Sequence, residues 1–177
     1  SLKLSHLSKV RAKMDVHSRE RRSFNMSKIG PRDTKPELIV RQWLWKHGYR
    51  YRLYHKGLPG KPDIVFPGRK KAIFIHGCFW HMHKCRYFKW PSSNADFWKQ
   101  KIEGNALRDL VNYEKLIVSG WAYLILWECV LRELKGVDRQ AKLEQLGHLI
   151  EQFLISENDH SMEIDTDGMH FHTLFEP

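Results

Sequence analysis

The sequence lacks long apolar runs, and this absence excludes a membrane-spanning protein. No segment approaches the roughly 20 consecutive apolar residues that a helix needs to cross a bilayer. The first residues also lack the apolar stretch of a signal peptide. We therefore expect a cytoplasmic protein that has no membrane partner.

Cysteine is scarce, with 3 residues in a chain of 177. An odd number cannot pair off evenly, and two of the three lie among histidines, so metal ligation is favoured over a disulfide framework. Internal repeats and low-complexity blocks are also missing. The chain is 42% hydrophobic and 28% charged, which is typical of a folded domain that can bury a core without disulfides.

Acidic residues are outnumbered, and the formal net charge is +10. Residues 1–22 alone carry seven lysines and arginines against two acidic residues. A basic field of this size favours a polyanionic partner, of which nucleic acid is the commonest. Charge alone also fits a basic soluble protein with a loose arm. We predict a flexible basic arm over residues 1–22 and a single domain over residues 23–177.

The order of predicted elements indicates an α/β fold. A capping box at Thr34–Glu37 starts a helix that ends near Gly48, and further helices are predicted over 94–118 and 138–155. Strands are predicted over 49–54, 63–66, 71–75 and 121–127, and the remainder reads as a mixed polar tail. This order predicts a small mixed β-sheet flanked by helices.

The segment IHGCFWHMHKC, residues 75–85, concentrates metal-binding side chains. Cys78 and Cys85, together with Cys129, supply three thiolates, and one histidine would complete a tetrahedral zinc site. Cys129 also fits a small buried hydrophobe. The spacing does not choose among the three histidines of the segment, but it leaves two imidazoles that could move a proton near neutral pH.

Asp63 follows the loop HKGLPGKP and begins a predicted strand. An oxygen ligand beside a strand that ends in histidines suits Mg²⁺, although a lone carboxylate there fits a capped turn equally well. Glu37 has a similarly local explanation, because the third position of a capping box favours glutamate.

Taken together, these motifs resemble those of the very-short-patch repair (Vsr) endonucleases. The matching motifs are Thr34-x-x-Glu37, GKPD at 60–63, IFIHGCFWH at 73–81 with His83 and Cys85, and LWEC at 126–129. The resemblance runs from about Asp15 to the IDTDGM tail at 164–169. It implies a restriction-endonuclease-like fold for the domain, and a Mg²⁺-dependent nick 5′ to the thymine of a T·G mismatch.

The resemblance also assigns the catalytic residues. Asp63 matches the metal-binding aspartate, and the main-chain carbonyl of Ile75 would be its companion ligand for Mg²⁺. His81 matches the base that activates water, and His76 matches a second active-site histidine. Glu37 would hold a metal-bound water in the same site.

The structural zinc ligands follow in the same way. Cys78, His83, Cys85 and Cys129 match the four positions that bind Zn²⁺ in the resembled family. The choice of histidine, which the spacing leaves open, is therefore implied by the resemblance alone.

Aromatic residues complete the comparison. Phe79, Trp80 and Trp98 match positions that intercalate at the mismatch, whereas core packing is the ordinary alternative, above all for Trp98 beside Phe97. The positions that touch the mismatched pair in the resembled family are Met26, Lys101 and Asn105. Base–aromatic stacking contributes roughly 1–3 kcal/mol per base, which offsets the cost of unstacking.

Two other functions fit part of this pattern. A nuclease of the same fold without mismatch preference leaves Phe79 and Trp80 without a role. A non-catalytic, zinc-stabilised module that binds damaged DNA leaves Asp63, His76 and His81 without a role. The resemblance favours a monomeric nickase that acts on double-stranded DNA in the nucleoid, with mismatch-repair factors and a cytosine-C5 methyltransferase as functional partners.

Overall fold

The computed structural model describes residues 33–174, which form a five-stranded sheet with helices on both faces. The helices are α1 (Lys35–Lys46), α2 (Ala95–Val118), α3 (Glu128–Arg132) and α4 (Arg139–Ile155), and a 3₁₀ turn covers Pro67–Arg69. The strands are β1 (Ile64–Phe66), β2 (Lys71–His76), β3 (Ala122–Trp127), β4 (Met162–Asp165) and β5 (Gly168–Phe171). Across this part of the chain, no helix is both long enough and apolar enough to cross a membrane.

The sheet is mixed, and its strands lie in the order β1-β2-β3-β4-β5. The central pairs β2–β3 and β3–β4 are parallel, whereas the outer pairs β1–β2 and β4–β5 are antiparallel. The last pair of the β2–β3 ladder is His76 with Trp127. Because parallel strands end at the same edge, the segments that follow β2 and β3 leave the sheet side by side.

Alternation along β3 divides the core into two clusters. Leu124 and Leu126 pack with α1 and α4 on one face of the sheet, whereas Tyr123, Ile125 and Trp127 pack with α2 on the other. All six β3 residues are buried, as expected of a central strand covered on both faces. The period of two therefore places Trp127 on the α2 side, where the side chains of the candidate site also lie.

Helices α1 and α4 meet at Trp43 and Gly147. The indole of Trp43 stacks on His47, with 3.8 Å between ring centroids, and its Nε1 donates to Oε2 of Glu144 at 3.0 Å. A Cβ atom at Gly147 would lie 1.9 Å from the Trp43 ring. The absence of a side chain at position 147 is what allows the two helices to pack this closely.

The predicted α/β class, with a mixed sheet flanked by helices, is confirmed, and two segments differ from the prediction. Residues 49–54 are not a strand, since they form only one bridge, Arg52 with Val65, and Tyr54 adopts a positive φ of 53°. The predicted polar tail instead contains the β4–β5 hairpin. Cys129 lies within the short helix α3, which begins directly after β3.

Candidate active site and metal centre

The segment after β2 carries most of the candidate residues. It leaves the sheet at His76, beside the end of β3 and the start of α3. Within it, the amide of His81 donates to the carbonyl of Gly77, and the amide of His83 donates to the carbonyl of Cys78. These tight turns fold residues 76–85, hereafter the histidine loop, back towards Cys129.

The histidine loop and α3 bring four sulfur and nitrogen groups together. One ligand atom from each of Cys78, His83, Cys85 and Cys129 lies within 4.8 Å of the others. The distance from Nδ1 of His83 to Sγ of Cys129 is 3.7 Å. Tetrahedral zinc bonds of ~2.1 Å to nitrogen and ~2.3 Å to sulfur would separate two such atoms by about 3.6 Å. The cluster therefore fits one tetrahedral metal ion.

The thiols of this cluster are electrostatically unequal. The neighbouring Cys78 thiol lowers the pKa of the Cys129 thiol below its ordinary value, and His83 lowers it further. The interaction with Cys129, together with burial, raises the pKa of Cys78 well above its ordinary value. A divalent cation would displace the thiol protons of this cluster, because metal ions bind cysteine in its deprotonated thiolate form.

Asp63 immediately precedes β1 and lies close to the end of β2. Its Oδ2 accepts a hydrogen bond of 2.7 Å from the amide of Ile75. Burial raises the pKa of Asp63 to about 6, and the nearby Glu37 adds to the rise, whereas Arg41 and His81 oppose it. Glu37 is itself buried and is bound to Arg41 at 2.8 Å. A carboxyl group destabilised in this way gains from a bound cation.

His76 and His81 stack on each other, with ring centroids 3.6 Å apart and planes 12° from parallel. Burial lowers the pKa of His76 well below 6.5, and His81 lowers it further, so His76 is neutral. Its Nε2 lies 2.7 Å from the hydroxyl of Tyr113. Nδ1 of His81 lies 2.5 Å from Oδ2 of Asp109. Ligand atoms of His76, His81 and Asp109 also lie within 4.8 Å of one another.

Sequence reasoning did not find Asp109 and Tyr113, which both lie on α2. The signal was present, since Asn105, Asp109 and Tyr113 recur every four residues and therefore share one helix face. That face points its polar groups at the histidine loop, because Nδ2 of Asn105 also donates to the carbonyl of Trp80 at 3.0 Å. A row of polar residues on a long helix usually faces solvent, so the sequence alone gives no reason to assign this row to a functional site.

An aromatic cluster lies next to the histidines. The rings of Phe79, Trp80 and Trp98 lie 5.2–5.9 Å from one another by centroid. Trp80 is 39% exposed, and the other two are half-buried. Of the other predicted DNA contacts, Lys101 is exposed near the Phe97 ring, and Met26 lies outside the described residues. The cluster offers stacking surface instead of being closed into the core.

This combination of groups is suited to hydrolysis. A destabilised carboxylate provides a ligand for a hard cation, and an imidazole held by a carboxylate provides a proton acceptor. A separate sulfur-rich centre ties the histidine loop to α3. The aromatic cluster beside these groups fits a substrate with stacked rings, as in nucleic acid.

Comparison with known proteins agrees with this chemistry. The profile of the family described as DNA mismatch endonuclease Vsr matches residues 14–87. The chain is 40% identical to DNA mismatch endonuclease Vsr of Escherichia coli, with 88% of this chain and 97% of the relative aligned. It is 43% identical to the type II nicking enzyme V.XorIIP of Xanthomonas oryzae pv. oryzae, with 72% and 94% aligned.

A third relative is the type II nicking enzyme V.NmeAIP of Neisseria meningitidis, 42% identical over 78% of this chain and 95% of that protein. These relatives are matched over nearly their full lengths, and their aligned regions include the histidine loop. The chain therefore belongs to the Vsr family and is a DNA endonuclease.

Proposed function

We propose that this endonuclease is a Mg²⁺-dependent nickase that cuts one strand of duplex DNA 5′ to the thymine of a T·G mismatch. The observation that carries the proposal is the convergence, at one edge of the sheet, of Asp63, the His76–His81 stack and an exposed aromatic cluster. The name of the Escherichia coli relative supports a mismatch as the substrate. Deamination of 5-methylcytosine is the chemical origin of such a T·G pair.

Asp63 and the main-chain carbonyl of Ile75 would hold the magnesium ion, and Glu37 would hold one of its water molecules. The bound cation would supply Lewis acidity to the phosphate and charge stabilisation to the leaving oxygen. The residues fit this role because burial raises the pKa of Asp63, and a cation relieves that cost. The amide of Ile75 already fixes the carboxylate through Oδ2.

His81 would accept the proton of the attacking water. An ionised carboxylate only accepts hydrogen bonds, so Asp109 fixes the His81 tautomer that carries its proton on Nδ1. The Nε2 atom is then the free base. His76 stacks beneath this ring and stays neutral, which avoids a second positive charge next to the base. Asp109 acts through His81 and is a positioning residue.

The sulfur-rich centre would hold a structural Zn²⁺ through Cys78, His83, Cys85 and Cys129. Four protein ligands leave no open position, which is typical of a structural site. Two of them, Cys78 and His83, flank the residue proposed as the base. A bound zinc ion would therefore fix the shape of the loop from which His81 projects.

The aromatic cluster would test the DNA for a mismatch. Phe79, Trp80 and Trp98 would insert between base steps, and a wobble pair is easier to unstack than a Watson–Crick pair. Lys101, Asn105 and Met26 would contact the mismatched bases. Asn105 donates a hydrogen bond to the carbonyl of Trp80, so its contact with the mismatched bases would be coupled to the position of the intercalating Trp80 ring.

The remaining expectations also belong to this proposal. The mixed sheet would be that of a restriction-endonuclease-like fold. Residues 1–22, which lie outside the described residues, would serve as a basic arm that contacts the DNA backbone. The enzyme would act as a monomer on DNA within the cytoplasm. A cytosine-C5 methyltransferase and mismatch-repair factors would be its functional partners.

A nicking assay with end-labelled 30-mer duplexes tests the proposal. One duplex carries a central T·G pair in a methylation-site context, and the other is fully paired. Zinc-loaded wild type and Asp63→Ala are each incubated with and without Mg²⁺, since omitting Mg²⁺ leaves bound zinc in place. We expect one nick beside the mismatched thymine, seen only for wild type with Mg²⁺.

Two other results would replace the proposal. Equal cutting of both duplexes would indicate a nuclease of the same family without mismatch preference. Mismatch binding without cutting in any methylation context would indicate a zinc-stabilised module that only binds damaged DNA. Retained cutting by Asp63→Ala would remove Asp63 from the metal site.

A further inference from the structure

The imidazole of His83 is contacted on three sides, and one of the contacts involves the far end of the chain. Its face stacks on Trp127, with 4.3 Å between centroids and planes 8° from parallel. Its Nδ1 faces the sulfur of Cys129 at 3.7 Å, and its Nε2 faces Oδ2 of Asp165 at 3.9 Å. Asp165 is the last residue of β4, 82 positions further along the chain.

The carboxylate of Asp165 is fixed by its own hairpin. Its Oδ1 accepts a hydrogen bond of 2.7 Å from the amide of Asp167 in the β4–β5 turn. Its Oδ2 lies 3.0 Å from Nε2 of His170 on the facing strand. The side chains of Asp165 and His83 are each only 15% exposed. The carboxylate therefore has a set orientation towards His83 that does not depend on a bound ion.

Two more contacts join the hairpin to the same centre. Glu163 lies two residues before Asp165, on the same face of β4, and its Oε2 accepts a hydrogen bond of 3.0 Å from Nε1 of Trp127. It thereby fixes the ring on which His83 stacks. The amide of Thr166, in the turn, lies near the sulfur of Cys129.

We propose that the β4–β5 hairpin is the outer support of the zinc centre, and that Asp165 is the positioning residue of the zinc ligand His83. The inference rests on the proposed zinc site. A histidine that binds a metal through one ring nitrogen donates its other N–H to an acceptor, which sets the tautomer and the ring orientation. Asp165 is the carboxylate placed to receive that N–H, across a gap that a small shift or one water molecule closes.

The proposal also gives the hairpin an effect on catalysis. His83 and Cys78 flank His81 in the histidine loop, so a loosely bound zinc ion would loosen the loop that carries the base. The chain order hides this connection, because the hairpin follows α4 and reaches the loop only through the β3–β4 pairing. Support of a zinc ligand by a distant hairpin is thus a consequence of sheet topology.

The hairpin cluster could itself be mistaken for a metal site. Ligand atoms of Glu163, Asp165 and His170 lie within 4.8 Å of one another. However, Glu163 is already bound to Trp127, and Asp165 is bound to His170 and to the amide of Asp167. These contacts account for the cluster without an ion, so the proposal places no zinc ion in the hairpin cluster.

The test compares Asp165→Asn with wild type in the full-length protein. The variant keeps the acceptor for the Asp167 amide but presents an NH₂ group to the N–H of His83. We expect zinc release to a colorimetric chelator to become about 10- to 100-fold faster. The exposed Asp167→Asn in the same turn is the matched control and should release zinc like wild type. Glu163→Gln, which keeps an acceptor for Trp127, should show a smaller effect than Asp165→Asn.

The visible spectrum of the Co²⁺-substituted protein reports the coordination of the metal. A change in global stability alone would not alter it. We expect the ligand-field bands to shift in Asp165→Asn while the circular dichroism spectrum stays that of wild type. Equal zinc release by Asp165→Asn and wild type, or unchanged Co²⁺ bands, would overturn the inference. A second zinc ion held by Glu163, Asp165 and His170, recognised by its loss in His170→Ala, would also overturn it. Wild type that binds no zinc would instead overturn the proposed zinc centre.

Discussion

Nδ1 of His81 lies 2.5 Å from Oδ2 of Asp109, although the two residues are 28 positions apart in the chain. The contact joins the histidine loop to α2, the helix that covers this face of the sheet. It leaves Nε2 as the only ring nitrogen of His81 that can take up a proton. In the proposed mechanism, His81 would be the base and Asp109 the carboxylate that orients it.

Replacing Asp109 by asparagine should lower the single-turnover nicking rate by about 10- to 100-fold. General-base catalysis accelerates a reaction by roughly 10²- to 10⁴-fold, and a misoriented base keeps part of that acceleration. The affinity for DNA should change little. The control is Glu114→Gln, an exposed site on the same helix. A rate equal to that of wild type would show that Asp109 does not orient the base.

The wild-type nicking rate should also fall in acid, and a rate that is flat down to pH 5 would argue against a histidine base.

Asp63→Asn should stabilise the Mg²⁺-free protein at pH 8, by about 3 kcal/mol. The pKa of Asp63 is raised from 3.8 to about 6, so the folded state binds the proton more tightly than the unfolded state. The stability that Asp63 contributes is therefore present below pH 3.8 and is lost as the pH rises through 6. The advantage of the variant should disappear near pH 4.

Urea unfolding of zinc-loaded protein at pH 4, 6 and 8 checks this sign. Adding Mg²⁺ at pH 8 should stabilise wild type but not Asp63→Asn, because only the carboxylate gains from the cation. A variant less stable than wild type at pH 8 without Mg²⁺ would show that the ionised Asp63 is not destabilised by burial.

The candidate metal-binding cysteines could be predicted because cysteine and histidine are concentrated in one segment, whereas the choice of His83 rests on the family resemblance. Cysteines and histidines crowd into residues 76–85, and the unpaired Cys129 can only be explained as a distant partner or a buried hydrophobe. The β2 and β3 strands were predictable for a similar reason, since their apolar runs reflect burial on both faces. The structure brings the four predicted zinc ligands together through that parallel pair.

Other features depend on partners that the sequence does not mark. Tyr49 and Tyr51 alternate as in a strand, but their rings pack edge-on against Phe66, and only Arg52 pairs with the sheet. The β4–β5 hairpin carries mixed polar residues, because Glu163 and Asp165 bind Trp127 and His170 instead of facing an apolar core. Patterns of hydrophobicity report burial, and these segments are held by specific polar contacts.

Trp80→Ala should reduce nicking of the T·G duplex by about 5- to 150-fold, the equivalent of roughly 1–3 kcal/mol of base stacking. The loss should appear in DNA affinity and in the preference over paired DNA. Trp45→Ala is the matched control, because Trp45 is more exposed but stacks on Arg50 outside the aromatic cluster. Competition nicking assays with both duplexes measure the effect. If Trp80→Ala kept the full preference for mismatched DNA, Trp80 would have no role in mismatch recognition.

Gly147→Ala should destabilise the domain by about 1–3 kcal/mol through overpacking between α1 and α4. The new methyl group would meet the Trp43 ring at 1.9 Å, and Trp43 cannot turn away without losing its bond to Glu144 and its stack on His47. Gly104→Ala in α2 is the control, because a Cβ there meets nothing within 4 Å and alanine favours a helix by roughly 1 kcal/mol. Urea unfolding of the zinc-loaded variants should therefore move in opposite directions. Two equal shifts would mean that helix propensity, and not the Trp43 contact, decides the outcome at position 147.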